Sequence, residues 1–255
     1  DGAVVVFDSV SGVEPQTETN WHYADDYGVP RICFLNKLDR MGASFENSLA
    51  SIKSRLNPNA MPIQLPIGIE GGFEGLIDLL RMKAFYFEGE KGEIIVEKEI
   101  PENMKEEAQM AHAALIEKIV ETDDLLLNKF FEKKEITLAE LKAALRKATL
   151  SLKIIPVVTG SALKNKGVQF VLDAVVDYLP SPMDLPPTKG IDIETSAEIL
   201  RYPKEDEPFA ALAFKVAADP FVGALTFFRV YSGTLKKGTY VLNSTKGHQE
   251  RIGRI

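Results

Sequence analysis

The sequence predicts a doubly wound α/β sheet, interrupted by an α+β insertion and followed by the start of an antiparallel β-barrel. Three continuous apolar runs, at residues 3–7, 32–35 and 154–158, have the unbroken hydrophobicity of parallel strands covered on both faces. More than a hundred residues separate the second run from the third, where a crossover ordinarily takes about a dozen to a few dozen. Beyond Pro186-Pro187 the texture changes to β-branched and aromatic stretches punctuated by turn residues.

Each element follows from its residues. A helix is expected from about residue 15 to 27, with Pro15 in its first turn, Gly28 just past its end and Pro30 beyond. The strand, helix and strand so formed make one crossover unit, and a further helix follows the second strand. Pro156 lacks a ladder donor, which predicts an edge position for the third strand. After it, residues 167–179 place Val168, Val171, Leu172, Val175, Val176 and Leu179 on one helical face, and Pro180-Ser181-Pro182 stops the helix.

The insertion, at about residues 66–152, opens with strand-like pieces at 84–87 and 94–96 between the turns Gly71-Gly72 and Gly89-Glu90-Lys91-Gly92. Its second part is helical. Met104, Ala108, Ala111, Leu115 and Ile119 recur at helical spacing, and Leu138, Leu141, Leu145, Ala148 and Leu152 repeat the pattern after a short helix at about 125–131. These stripes read as core faces. Strands are expected at 209–216, 225–231, 239–242 and 249–255, which divides the chain into a first domain at 1–188 and a truncated β-domain at 189–255.

Composition narrows the function classes. At 255 residues and 45% hydrophobic content the chain can bury a full core, and its apolar runs fall far short of the roughly 20 residues of a membrane helix. A chain that opens on Asp1-Gly2 and runs straight into a strand reads as cut at both ends. The lone Cys33 excludes an internal disulfide, reads as a buried structural thiol and fits a reducing, cytosolic compartment. Residues 70–150 carry 18 acidic and 12 basic side chains, nearly the whole of the chain's net charge of −7. Such a segment repels phosphate backbones and suits a basic protein partner, or is simply a solvated helical surface.

The strongest chemical signal is Asn36-Lys37-Leu38-Asp39, directly behind the second apolar run. Ligands of doubly wound sheets bind outside the carboxyl ends of the strands, and Gly160-Ser161-Ala162 stands at the same end of the third strand. The Asp39 carboxylate can accept both the ring N–H and the exocyclic amine of guanine, whereas adenine offers an acceptor where the ring donor belongs. Asn36 can bridge the base and neighbouring loops, and Lys37 can lay its apolar stem along the base with its ammonium in water. The backbone N–H groups of Ser161 and Ala162 suit the guanine carbonyl oxygen. Taken without Gly160-Ser161-Ala162, the tetrapeptide also suits a polar turn capping the next helix.

Other polar residues carry less. His22, His112 and His248 have no partners at metal-ligand spacing, so no zinc site is predicted. Asp8 reads as a turn former. Lys246, His248, Arg251 and Arg254 read as a solvated face, with contact to RNA as the alternative.

These motifs resemble the translational GTPases, most closely those of the elongation factor G type. The resemblance runs through Asp1-Gly2-Ala3-Val4-Val5-Val6-Phe7-Asp8, Gly12-Val13-Glu14-Pro15-Gln16-Thr17-Glu18-Thr19, Asn36 to Ala43, Gly160 to Gln169, Leu172 to Pro182, Asp219-Pro220-Phe221-Val222-Gly223 and Phe227 to Gly233. It implies a P-loop-type GTPase fold, with residues 1–188 as the C-terminal part of its GTP-binding domain. GTP and GDP are the implied ligands, with Mg²⁺ in the parent protein. Asn36, Lys37 and Asp39 are the implied base readers, and Ser161 with Ala162 the second guanine contact.

The implied role is ribosomal translocation of tRNA and mRNA in the cytoplasm, by a monomer whose insertion faces a stalk protein. No Gly-x-x-x-x-Gly-Lys-Ser/Thr loop occurs, and the family's Asp-Thr-Pro-Gly-His segment is also missing. The chain is therefore expected to hold no Mg²⁺ ligands and no catalytic residue, and not to hydrolyse GTP by itself. The alternatives are another ribosomal GTPase of the same architecture, such as a ribosomal protection protein or release factor, or a non-enzymatic module that docks on ribosomal protein.

Overall fold

The computed structural model describes residues 1–89, 91–192, 195–220 and 223–255. Glu90 of the predicted Gly89–Gly92 turn, and Phe221 and Val222 of the Asp219–Gly223 motif, lie outside the described residues. The chain divides into two compact units, Asp1–Pro180 and Ser181–Ile255.

The first unit is built on a parallel sheet. Strand β1 (Ala3–Asp8) leads through helix α1 (Pro15–Asp26) to β2 (Arg31–Asn36), and helix α2 (Phe45–Arg55) leads on to β3 (Ala60–Pro62). Pro15 starts α1 where a missing N–H costs nothing, and Ser44 caps α2 by accepting the Asn47 N–H. Next come an antiparallel sheet of β4 (Gln64–Ile67), β5 (Gly75–Asp78), β6 (Lys83–Glu88) and β7 (Ile94–Lys98), and three helices, α3 (Lys105–Val120), α4 (Asp124–Phe131) and α5 (Leu138–Leu150). Thr137 and Glu140 form a reciprocal capping box that starts α5. Strand β8 (Ile155–Thr159) and helix α6 (Val168–Tyr178) complete the unit.

The order of the parallel sheet is β1-β2-β8-β3. This corrects the edge position expected for Pro156, because β8 lies between β2 and β3. Ile155 N–H is spent on the β3 side, on the Asn59 carbonyl, so alternation turns Pro156 toward β2. Pairing with β2 begins only at Val157 opposite Cys33, one residue beyond the missing donor. The third apolar run is therefore an interior strand that tolerates its proline by register.

The sheet ends at β1, where Val4 and Val6 are 38% and 55% exposed. Its continuous apolar run predicts cover on both faces, but within this strand only Phe7 is fully buried. Strand β3, three residues long, is absent from the sequence expectation. It receives the chain after α2, and the inserted segment returns to place β8 between it and β2.

The buried side of α6 also differs from the expectation. Phe170, Val171, Ala174 and Tyr178 are buried, while Leu172 and Val176 are exposed. The helix is apolar on more than one side, and Phe170 decides its rotation by packing with Leu76, Phe85 and Phe87 of the inserted sheet. The stripes on α3 and α5 do enter the core: Ala108, Leu115 and Ile119, and Leu141, Leu145 and Ala148, join Ile32, Leu35 and Val157 in one apolar cluster. Cys33 is buried and free within it.

The second unit contains three antiparallel pairs: β9 (Thr188–Ile191) with β10 (Glu198–Arg201), β11 (Ala210–Asp219) with β12 (Gly223–Ser232), and β13 (Tyr240–Asn243) with β14 (His248–Arg251). The last four correspond to the predicted β-rich stretches, and the β9–β10 hairpin is an addition. Ser232 Oγ donates to the Pro208 carbonyl at 2.7 Å and closes the base of the long β11–β12 hairpin. No helix among the described residues is long and apolar enough to cross a membrane.

Candidate functional site

Parallel register brings the chemistry to one edge of the first unit. Asp8 pairs with Asn36 and Thr159 with Leu35, so the carboxyl ends of β1, β2 and β8 stand side by side. The segment Asn36–Asp39 leaves β2 by a turn in which Lys37 adopts φ 64°, a left-handed conformation unusual for a residue with a side chain. Leu38 then points inward and is fully buried. That anchor leaves Asn36 and Asp39 half-buried at the mouth and Lys37 exposed.

The two predicted loops are joined directly. Leu38 N–H donates to the Gly160 carbonyl at 3.3 Å, and Gly160 N–H donates to the Leu35 carbonyl at 3.0 Å. Asn36 Oδ1 accepts from its neighbour Lys37 N–H at 2.8 Å and from Ala162 N–H at 2.9 Å, across 126 residues of sequence. Gly160 is required here, because a Cβ would run into the Lys166 carbonyl and the Phe34 ring. Asn36 thus bridges loops, as its amide chemistry allows.

The donors at 161–163 are not equivalent. Ser161 is buried, and its N–H donates to the Lys166 carbonyl at 2.8 Å, while its Oγ accepts from Lys164 N–H at 3.3 Å. Ala162 N–H is held by Asn36. Leu163 N–H, on an exposed residue, has no acceptor among the described residues. The sequence motif alone does not single out Leu163; its free N–H becomes visible only once its two neighbours are seen to be engaged.

Asp39 makes no hydrogen bond or ion pair among the described residues. Its carboxylate, open in part to solvent, is available to the donors of a ligand. The edge therefore offers a free carboxylate acceptor from one loop and a free backbone donor from the other. That combination fits a planar group carrying N–H donors and a carbonyl oxygen.

Lys37 and Asp8 form the second feature of the edge. Lys37 Nζ lies 2.7 Å from Asp8 Oδ2, with Arg40 Nη1 at 3.4 Å from the same oxygen, and Val10 N–H donates to Oδ1 at 2.9 Å. Burial pushes the Asp8 carboxyl up, but the Lys37 hydrogen bond, the Val10 N–H and the charges of Lys37 and Arg40 together hold it below the usual aspartate value. Asp8 is the turn former that the sequence predicts, and it is also the anchor of Lys37. The tie aligns the Lys37 stem along the edge.

No group of three or more His, Cys, Asp or Glu side chains suited to a metal ion occurs among the described residues.

Comparison with known proteins agrees with this architecture. Residues 1–181 match the family model for the elongation factor Tu GTP binding domain, and residues 208–255 match that for elongation factor G domain 2. A crystal structure of a protein from Thermus thermophilus is similar over 99% of this chain, with a TM-score of 0.77 and 30% sequence identity. This chain spans 34% of that one. With the parallel sheet, its inserted segment and the following antiparallel strands all accounted for by these matches, the chain belongs to the translational GTPases of the elongation factor G type.

Proposed function

We propose that Asn36, Lys37, Asp39, Ser161 and Ala162 form the base-reading half of a GTP/GDP site in a ribosomal translocation GTPase. The observation that carries this reading is the Asp39 carboxylate, half-buried and without a partner among the described residues, in a turn that Asn36 ties to the Ser161-Ala162 loop. Asp39 accepts the ring N–H and exocyclic amine of guanine. Asn36 holds the two loops at a fixed separation, and Lys37, anchored on Asp8, covers the base with its methylene stem. Ser161 shapes the turn through Lys166, Ala162 ties the turn to Asn36, and Leu163 supplies its free N–H for the base carbonyl.

The nucleotide supplies the phosphoryl anhydride, and the residues of this chain bind and orient its base. No residue here is assigned to the phosphates, to Mg²⁺ or to catalysis, so the chain by itself is expected to bind nucleotide weakly and not to hydrolyse it. Residues 1–188 are assigned to the GTP-binding domain, about 66–152 to its insertion and 189–255 to the β-barrel domain. The acidic insertion is suited to a basic ribosomal protein, in a cytoplasmic, monomeric factor.

The test is base selectivity. In amide NMR titrations, GDP should shift the signals of residues 36–39 and 161–163, and ADP should not. Asp39→Asn replaces one acceptor by a donor and should weaken GDP about 10²-fold while favouring xanthosine diphosphate, since charge-assisted hydrogen bonds are worth about 1.5–3 kcal/mol each. Equal responses to GDP and ADP, or an unchanged preference in Asp39→Asn, would refute the assignment.

A further inference from the structure

We propose that Glu70, at the start of the inserted segment, is a positioning residue for the guanine loop, holding the backbone on both sides of Asp39. This role rests on the base-site reading above. Glu70 N–H donates to the Leu38 carbonyl at 2.7 Å, and Glu70 Oε1 accepts from Gly42 N–H at 2.7 Å. One residue therefore grips the loop immediately before Asp39 and three residues after it. The two bonds are equally short at 2.7 Å, and the charge on the carboxylate makes its bond the firmer of the two.

The backbone of Glu70 shows that this grip is over-determined. Its φ is 55°, a left-handed conformation that a residue with a side chain holds only when surrounding bonds enforce it. Gly42, at φ 83°, adopts the matching turn without steric cost because it carries no side chain. The partner loop is held from the same segment: Lys166 Nζ donates to the Phe73 carbonyl at 2.8 Å, while the Lys166 carbonyl takes the Ser161 N–H. Three residues apart, Glu70 and Phe73 thus brace the two sides of the base site.

Asp39 must meet two base donors at once, and such double contacts lose strength steeply when an acceptor moves by a fraction of an ångström. Its side chain has no hydrogen-bonding neighbour among the described residues, so its placement depends on the backbone at Leu38 and Gly42. The inserted segment therefore does more than decorate the domain: it sets the geometry of base recognition. Any partner that shifts its first turn would alter nucleotide affinity.

The experiment compares Glu70→Ala and Glu70→Gln in the 255-residue chain, with GDP and ADP as probes. Glu70→Ala should accelerate amide exchange at Gly42 about 10-fold and weaken the GDP response about 5- to 10-fold, the loss expected for one hydrogen bond. The ADP response should not change. Glu70→Gln keeps an oxygen acceptor and should restore both values to within about twofold. Should Ala unfold the turn at this φ, Glu70→Gly removes the carboxylate while accommodating the backbone and gives the same comparison.

A Glu70→Ala chain that binds GDP like the wild type overturns the role, and so does a Glu70→Gln chain as weak as Glu70→Ala. Faster exchange at Gly42 with unchanged GDP binding also overturns it, leaving a structural contact only. If wild-type GDP and ADP responses coincide, the base site itself falls and this role falls with it. That outcome is distinct, because it is read before any Glu70 variant is made.

Discussion

Gly167 gives the sharpest test of how the base loop is held. It precedes α6 at φ 86°, and a Cβ there would sit 2.5 Å from the Thr159 carbonyl oxygen and 3.2 Å from Gly160 Cα. Both obstacles are backbone. Gly167→Ala therefore meets two separate penalties: about 1–2 kcal/mol for a left-handed alanine, and about 1–3 kcal/mol for relieving a contact roughly 1 Å too short. The sum is about 2–5 kcal/mol. In a unit of 180 residues, each kcal/mol moves the melting midpoint by about 2–4 °C, so a fall of about 10 °C is expected.

Urea and thermal unfolding of Gly167→Ala, Gly167→Asn and Gly71→Ala separate these contributions. Asn tolerates left-handed backbone but carries the same Cβ, so it should recover only the conformational part, about 1 kcal/mol. Gly71 has open space around its Cβ position and no left-handed φ, and its alanine variant should be neutral or stabilised by up to about 1 kcal/mol. If Gly167→Ala and Gly71→Ala unfold at the same midpoint, the steric reasoning is wrong. If Gly167→Asn equals wild type, the clash with Thr159 is not real.

Three further outcomes are expected. Arg31, 1% exposed, donates to the Val29 and Trp21 carbonyls at 3.0 and 3.2 Å and stacks 4.5 Å from the Trp21 ring. Arg31→Met keeps the stem but removes the bonds to both carbonyls and the 2.8 Å ion pair with Asp25, and should lose about 1.5–3 kcal/mol in urea titrations; an unchanged or raised stability would refute this. Phe170→Ala empties the contact with Phe85 and Phe87, whose rings lie 4.9 and 6.1 Å away, and should cost about 3–5 kcal/mol, with Phe170→Leu between it and wild type in the same titrations; a loss no greater than that of Phe170→Leu would count against the packing role. Glu140, bonded to Lys129 and to the N–H and hydroxyl of Thr137, is held down to about 2. A carboxylate pKa lowered in the folded state contributes stability above its ordinary value of 4.5, and that contribution disappears as pH falls through about 2. Carboxyl-carbon NMR should show Thr137→Val moving the Glu140 midpoint upward, and a fixed midpoint would exclude the Thr137 hydroxyl as a cause.

What could be read from the chain depended on whether the information was local. The runs at β2 and β8 were legible because strands covered on both faces need unbroken hydrophobicity. The Asn36–Asp39 turn was legible because its chemistry lies in four consecutive residues. Strand β3 was not, since three residues, Ala60, Met61 and Pro62, carry no periodicity. Pro156 misled because the rule for proline in strands concerns which side the missing N–H faces, and that depends on a register with β2 that begins only at Val157. The rotation of α6 was hidden for a similar reason. Leu172 and Phe170 are equally good core residues on a helical wheel, and only the aromatic pair on β6 selects Phe170.

The proposed base site follows the same division, with a consequence for how it responds to mutation. The residues assigned to touch the base are contiguous in two short motifs, but the groups that hold those motifs come from far along the chain. Asn36 meets Ala162 across 126 residues, Gly42 meets Glu70 across 28, and Phe73 meets Lys166 across 93. Each is a hydrogen bond between a side chain and a backbone group, so each fixes a main-chain position and leaves neighbouring side chains free. Substitutions at Asp39 should therefore change which base is accepted. Substitutions at Glu70 or Lys166 should instead lower affinity for the accepted base while keeping the order of preference among bases, because they loosen the frame without altering the donor and acceptor pattern it presents.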